Sequence, residues 1–192
     1  MTIIIETERL ILRPWRADDL ETLTAALNNF NVSRNTARIP FPYERKDAEA
    51  FLAMAQKERP GTLQLAIIRK DSPDRLYGGI SYEKEESVEL GYWLAEAEWG
   101  KGYGSEAARA MTDHTFRSGH EELAAGYAVG NHASRRILEG LGFTVLERRM
   151  TFSKAVGMKV PVVRMKLSRP DWERKCTLKN GEVGTPPLRD SL

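Results

Sequence analysis

The chain has 192 residues, the length of a single domain, and its 29 Lys and Arg against 27 Asp and Glu leave a net charge of +2, too small to argue for nucleic acid. Hydrophobic residues make up 41% and charged residues 29%, an ordinary globular balance, and no apolar run nears the roughly 20 residues that span a bilayer. One cysteine, Cys176, excludes an intrachain disulfide framework, and histidines at 114, 120 and 132 lack metal-ligand spacing, so no metal is expected.

The start, Met1-Thr2-Ile3-Ile4-Ile5-Glu6, has no basic n-region and no small-residue cleavage site, so it does not read as a signal peptide. A cytoplasmic setting fits this start and the lone thiol. Residues 3–15 read as a strand closed by Pro14. Asp18 or Asp19 starts a helix over 19–28, on the spacing of Leu20, Leu23, Ala26 and Leu27. Residues 29–46 read as loop. A second helix follows near 47–58, with Ala48, Phe51, Leu52 and Ala55 as its stripe.

The period then changes to two. Strands are expected over 62–69, 76–84 and 87–95, with connections too short for crossover helices, so they form an antiparallel meander. A long helix over 103–118 buries Ala107, Ala108, Met111, Thr115 and Phe116, and Gly119 stops it. Strand 122–129, helix 133–141 and strands 143–152 and 159–167 complete the order. That order predicts an α/β (α+β mixed) sheet, largely antiparallel with a parallel element at its middle. One domain covers 1–173, and the polar stretch 174–192 reads as a loosely ordered tail.

The most informative segment is Trp99-Gly100-Lys101-Gly102-Tyr103-Gly104-Ser105-Glu106-Ala107. Alternating glycines before a helix permit a tight turn or close approach of a ligand. The unpaired amides and positive end of the helix then suit a diphosphate. The plainer reading is a flexible turn. A nucleotide P-loop would need Gly-Lys-Ser/Thr, and a Rossmann fingerprint would sit in the first βαβ unit; neither pattern is present. Lys101 either approaches phosphate or stays solvated, and Ser105 either donates to the ligand or caps the helix.

A second segment runs from Val129 to Phe143. Asn131 sits where a helix N-cap is expected, Ser134 lies one turn later, and Gly142 ends the helix. Capping and packing alone would account for both polar residues.

Together the two segments resemble the GNAT superfamily of acyl-CoA-dependent N-acyltransferases, and most nearly its branch of ribosomal-protein N-terminal acetyltransferases, RimJ and RimL. Thr7-Glu8-Arg9-Leu10-Ile11-Leu12-Arg13-Pro14 is similar to that branch's first strand. So are Glu89-Leu90-Gly91-Tyr92-Trp93-Leu94 and Asn131-His132-Ala133-Ser134 with Leu141-Gly142-Phe143. The resemblance covers about residues 5–168. Its coenzyme motif usually begins with Gln or Arg, where this chain has Trp99; the main-chain donors are unaffected.

The resemblance implies acetyl-CoA as co-substrate, with its phosphates at Gly100, Lys101, Gly102, Tyr103, Gly104 and Ser105. The pantetheine arm is implied along the strand of Tyr92 and Trp93. There strand 122–129 splays away and leaves backbone groups of Trp93, Leu94 and Ala95 for its amides. Ser134 is implied as proton or hydrogen-bond donor to the coenzyme sulfur, with Asn131 orienting it or the pantetheine. Tyr127 is the alternative donor.

Transfer from a thioester to an amine needs a neutral amine, a sink for its surplus proton and a donor for the leaving thiolate. Glu89 shares a strand face with Gly91 and Trp93 and is the candidate base, or else an anion for the amine, or surface decoration. Glu83, Glu85 and Glu86 read as a solvated turn cluster. The acceptor entrance is expected at residues 28–43, with Phe30, Asn35, Arg38, Phe41 and Tyr43 lining it or merely packing the loop. The acceptor implied is a protein N-terminus. A polyamine, amino acid or antibiotic amine, or a non-enzymatic acyl-CoA-binding role, stays open. The exposed face of the C-terminal strands allows a homodimer.

Overall fold

The computed structural model describes residues 2–57, 59–84 and 87–179. The strand expected over 3–15 is in fact two, β1 (Ile5–Glu6) and β2 (Leu10–Pro14), antiparallel with Ile5 opposite Leu12. Helices α1 (Leu20–Leu27), α2 (Phe30–Ser33) and α3 (Arg45–Ala55) follow. The helix α2 corrects the expectation of uninterrupted loop there. Four residues are too few to show an apolar period, and the turn is fixed instead by side chains. Asn29 Oδ1 accepts from the Asn31 amide at 2.9 Å, and Ser33 Oγ donates to the Leu27 carbonyl at 2.7 Å.

The meander is β3 (Leu63–Arg69), β4 (Ser72–Lys84) and β5 (Val88–Leu94), antiparallel throughout. Strand β4 begins earlier than the expected Leu76, because register shifts between Ile67 and Arg69 draw the turn residues into the ladder. Then come α4 (Tyr103–Arg117), β6 (Glu122–Ala128), α5 (His132–Leu141), β7 (Thr144–Ser153) and β8 (Met158–Ser168). The sheet order is β1-β2-β3-β4-β5-β6-β8-β7, with one parallel pair, β5 and β6. A last helix, α6 (Arg169–Lys179), takes in the first residues of the stretch expected to be loose. Trp172 stacks on Phe116 with ring centroids 5.1 Å apart and donates its indole N–H to Asp113 at 2.7 Å, which docks α6 on α4. The rest of that stretch lies outside the described residues.

Strand alternation sorts the helices onto two faces. Leu65 and Ile67 of β3 pack with Ala107, Met111 and Phe116 of α4 and Leu138 of α5. Ala66 and Ile68 pack with Leu23 of α1, Val32 of α2 and Leu52 of α3. Each large apolar side chain so buried contributes about 1.5–3 kcal/mol. The sheet is therefore a rigid floor between two layers.

The parallel ladder is short. Only Glu89 with Ala124 and Leu90 with Ala125 are in register. Beyond them Gly91–Leu94 stays paired with β4 and Gly126–Ala128 with β8 but not with each other, so the middle of the sheet opens toward the C-terminal ends of β5 and β6. Among the described residues no helix is long and apolar enough to cross a membrane.

Candidate functional site

Two helices point their N-termini at this opening. At the first, Gly100 and Gly102 have φ of 76° and 83°, the left-handed region that glycine tolerates and L side chains resist. Gly102 is the N-cap residue of α4. Among the described residues the amides of Gly102, Tyr103, Gly104 and Ser105 donate to no acceptor, while the Glu106 amide makes the first helical bond, to Gly102 O at 3.1 Å. The result is a ring of free donors at the positive end of a fifteen-residue helix. Gly104 also lets α5 come close: a Cβ there would lie 3.1 Å from Ile137 Cδ1.

The cradle is fastened from outside. Glu106, in the first turn of α4, accepts from Thr7 Oγ1 at 2.6 Å, the Arg9 amide at 2.8 Å and Arg9 Nε at 2.7 Å. Arg9 Nη1 in turn donates to the Lys101 carbonyl at 3.1 Å, and its guanidinium lies 4.7 Å over the Tyr103 ring. The turn between β1 and β2 is closed by Thr7, whose amide donates to the Leu10 carbonyl at 2.9 Å and whose Oγ1 accepts from the Leu10 amide at 2.9 Å, and the cluster ties that turn to α4. Burial works to raise the Glu106 carboxyl's pKa, but the bonds from Thr7 and Arg9 outweigh it and hold the group below its ordinary value. Lys101 is drawn back by an ion pair of 3.0 Å to the buried Glu98, which leaves the backbone as the cradle's inner surface.

Past the cradle, Trp99 Nε1 donates to the Leu94 carbonyl at 2.9 Å, and the Ala95 amide donates to Tyr77 O at 3.0 Å. Two of the groups expected to be open over Trp93 to Ala95 thus have partners already. Trp93 turns its indole toward α1–α3. Gly79 leaves room for it: a Cβ there would lie 2.7 Å from Trp93 Nε1.

At the second helix, Asn131 caps α5 by accepting from the Ser134 amide at 3.1 Å. The Ser134 hydroxyl lies 2.9 Å from the Tyr92 hydroxyl, a contact between α5 and β5 that spans the opening on the α4–α5 face. Burial pushes the Tyr92 hydroxyl up to about 12, with the Ser134 bond partly opposing it. Tyr127 of β6 packs on this same face, half-buried.

Glu89 stands on the other face. Arg164 of β8 forms an ion pair with Glu89 Oε1, and its chain crosses Gly126 of β6, where a Cβ would lie 3.5 Å from Arg164 Cδ. Arg164 was not singled out in the sequence; the signal that marks it is a glycine opposite a long cation in the β6–β8 register. Neighbouring Glu83 faces Glu89 across β4 and β5 and is mostly covered, accepting from Arg38 at 2.9 Å and Gln64 Nε2 at 2.7 Å. It is not the solvated turn residue expected, because the ladder carries it inward. Glu85 and Glu86 lie outside the described residues.

A cavity of about 620 Å³ opens at the C-terminal end of β6, between Phe30 and Asn35 of the α2 region, Trp99, Asn131, Val156 of the β7–β8 turn and Val160 of β8. Phe41 packs edge-on to Phe30 at 5.3 Å, at the margin. Tyr43 is 4% exposed and belongs to the core around α1 and α3, and burial raises its hydroxyl. Arg38 is bound to Glu83 rather than turned to the cavity's lining. Residues 36–38 form a strap, with the Thr36 carbonyl accepting from Ser153 Oγ at 3.4 Å and the Ala37 carbonyl from the Lys154 amide at 3.0 Å. Among the described residues no group of three or more His, Cys, Asp or Glu is placed to hold a metal ion.

The family profile described as "Acetyltransferase (GNAT) domain" matches residues 9–144. The uncharacterized N-acetyltransferase YoaA of Bacillus subtilis (strain 168) is 28% identical over 153 residues, 73% of this chain and 82% of the relative. Two solved structures share the fold at 18% identity. One is RimL, a ribosomal L7/L12 alpha-N-protein acetyltransferase in complex with coenzyme A (TM-score 0.74, covering 86% of this chain and 98% of that one). The other is the spermidine N-acetyltransferase from Vibrio cholerae in complex with CoA and spermine (TM-score 0.73, 87% and 99%). Because the profile spans well over half of its length, this chain belongs to the GNAT family of acetyltransferases.

Proposed function

We propose that the protein transfers the acetyl group of acetyl-CoA directly to a primary amine, and that the amine is the N-terminus of a peptide or protein. The observation that carries the first part is the set of free amides from Gly102 to Ser105 at the mouth of α4. A diphosphate supplies acceptors for all of them, and the fold neighbours RimL and the spermidine acetyltransferase bind coenzyme A. Gly100 and Gly102 leave the main chain bare on that side, and the arm then enters the gap where β5 and β6 part.

Chemistry at the gap uses both faces of β5. The amine nitrogen attacks the thioester carbonyl, a C–N bond forms and the C–S bond breaks. The proton lost from nitrogen passes to Glu89, whose Oε2 accepts no hydrogen bond among the described residues, and from there to solvent. Ser134 donates a hydrogen bond to the departing thiolate, which takes its proton from solvent. Asn131 holds the backbone of Ser134 while this happens. No enzyme-bound acyl intermediate is needed, in keeping with Cys176 standing on α6.

A peptide end suits the cavity because Asn35 and the main chain at Gly130 offer amide-like partners beside the apolar Phe30 and Trp99. The strap at residues 36–38 favours a second reading, a small amine, because its ties to Ser153, Lys154 and Glu83 narrow the approach. A cytoplasmic setting fits either acceptor. The test is thiol release from acetyl-CoA against peptides with free N-termini and against polyamines and amino acids. Turnover with peptides alone supports the first reading, and turnover with small amines alone replaces it with the second. Release of thiol independent of every amine contradicts both.

A further inference from the structure

Tyr92 presents a half-buried hydroxyl 2.9 Å from the Ser134 hydroxyl, and either oxygen of this pair can donate. Ser134 has one hydrogen and two lone pairs. Its backbone is already fixed by Asn131, and among the described residues its hydroxyl is bonded to Tyr92 alone. If Ser134 donates in this pair its hydrogen is used up, whereas if Tyr92 donates the Ser134 hydrogen stays available. Only the direction from Tyr92 to Ser134 leaves Ser134 a hydrogen for the sulfur, which its reading as donor to the thiolate requires. We propose that Tyr92 is a positioning residue that donates to Ser134 Oγ and so leaves the Ser134 hydrogen directed at the coenzyme sulfur. This rests on the reading of Ser134 given above and adds a third member to it.

The arrangement has a physical consequence. A serine hydroxyl that both accepts and donates is polarised by the bond it accepts, and its own bond to a developing thiolate strengthens. A lone serine at that place would rotate among several orientations. Strand β5 would then serve the reaction from both sides, Glu89 toward the amine and Tyr92 toward the sulfur.

The test is Tyr92→Phe, which deletes one oxygen and keeps the ring, compared with Ser134→Ala and the double variant. The expected kcat of Tyr92→Phe is lower by about tenfold, the weight of one hydrogen bond made in the transition state, with KM for acetyl-CoA and for the amine changed by less than about twofold. The double variant should be no slower than Ser134→Ala, because Tyr92 acts only through Ser134. A purely structural tyrosine would instead lower melting temperature or raise KM, and its effect would add to that of Ser134→Ala; either outcome overturns the proposal. So does a Tyr92→Phe enzyme as fast as the parent while Ser134→Ala is slow. Failure of the underlying reading looks different: the parent enzyme itself releases no thiol with any amine, or Ser134→Ala is fully active.

Discussion

Replacing Glu106 with alanine removes the fastening between the β1–β2 turn and the cradle. The carboxylate accepts from Thr7 Oγ1 and from the Arg9 amide, and each such bond to a charged acceptor is worth about 1.5 kcal/mol. The ion pair with Arg9 adds at most about 1 kcal/mol, since the Arg9 side chain is 45% exposed and screened by water. Alanine should thus cost about 3–4 kcal/mol, and glutamine, which keeps an oxygen for Thr7 and the amide, about 1 kcal/mol. For a chain of this size that lowers Tm by about 6–16 °C for Glu106→Ala and by about 2–4 °C for Glu106→Gln.

The pH dependence of this effect has a definite sign. The folded carboxyl titrates below its unfolded value, so its stabilisation is complete above the unfolded pKa and is lost as pH falls through the folded one. Melting curves by circular dichroism at neutral pH and in steps below about pH 4.5 measure both parts. A Glu106→Ala protein melting within about 2 °C of the parent would refute the reasoning, and so would a parent-to-glutamine gap that stays constant into acid.

Two further substitutions probe the site. Gly102→Ala places a Cβ at φ of 83° and 3.2 Å from Arg9 Nη2, so it should cost about 1–2 kcal/mol and weaken coenzyme A binding measurably by calorimetry; unchanged affinity would separate the turn from the ligand. Glu89→Gln should slow acetyl transfer about a hundredfold near neutral pH, and by less at alkaline pH, where more of the amine is already neutral; a loss independent of pH would show that Glu89 binds rather than deprotonates.

Much of the architecture could be read from local pattern. The meander, α4 and α5 each carry a run of apolar residues at the right period, and Asn131, Gly119 and Gly142 mark helix ends through their own chemistry. The glycine turn was legible for the same reason, as glycine's tolerance of positive φ is a property of single residues. What stayed hidden depends on residues far apart in the chain. The docking of the Thr7–Arg9 turn on α4 runs through Glu106, about a hundred positions away. The helix α2 owes its four residues to Asn29 and Asn31, whose side chains reach Glu96 at 2.6 and 2.9 Å. Tyr92 with Ser134 and Glu89 with Arg164 join only once β5, α5 and β8 are assembled, so neither pairing shows in the sequence.

The account stands on coenzyme A being gripped by main-chain hydrogens of α4. Amide chemical shifts recorded by NMR as coenzyme A is titrated into the protein test this directly. The account predicts large, saturable shifts at Gly102, Tyr103, Gly104 and Ser105, and none of comparable size there with pantetheine, which lacks the diphosphate. Saturation with coenzyme A while these four amides stay in place would contradict it.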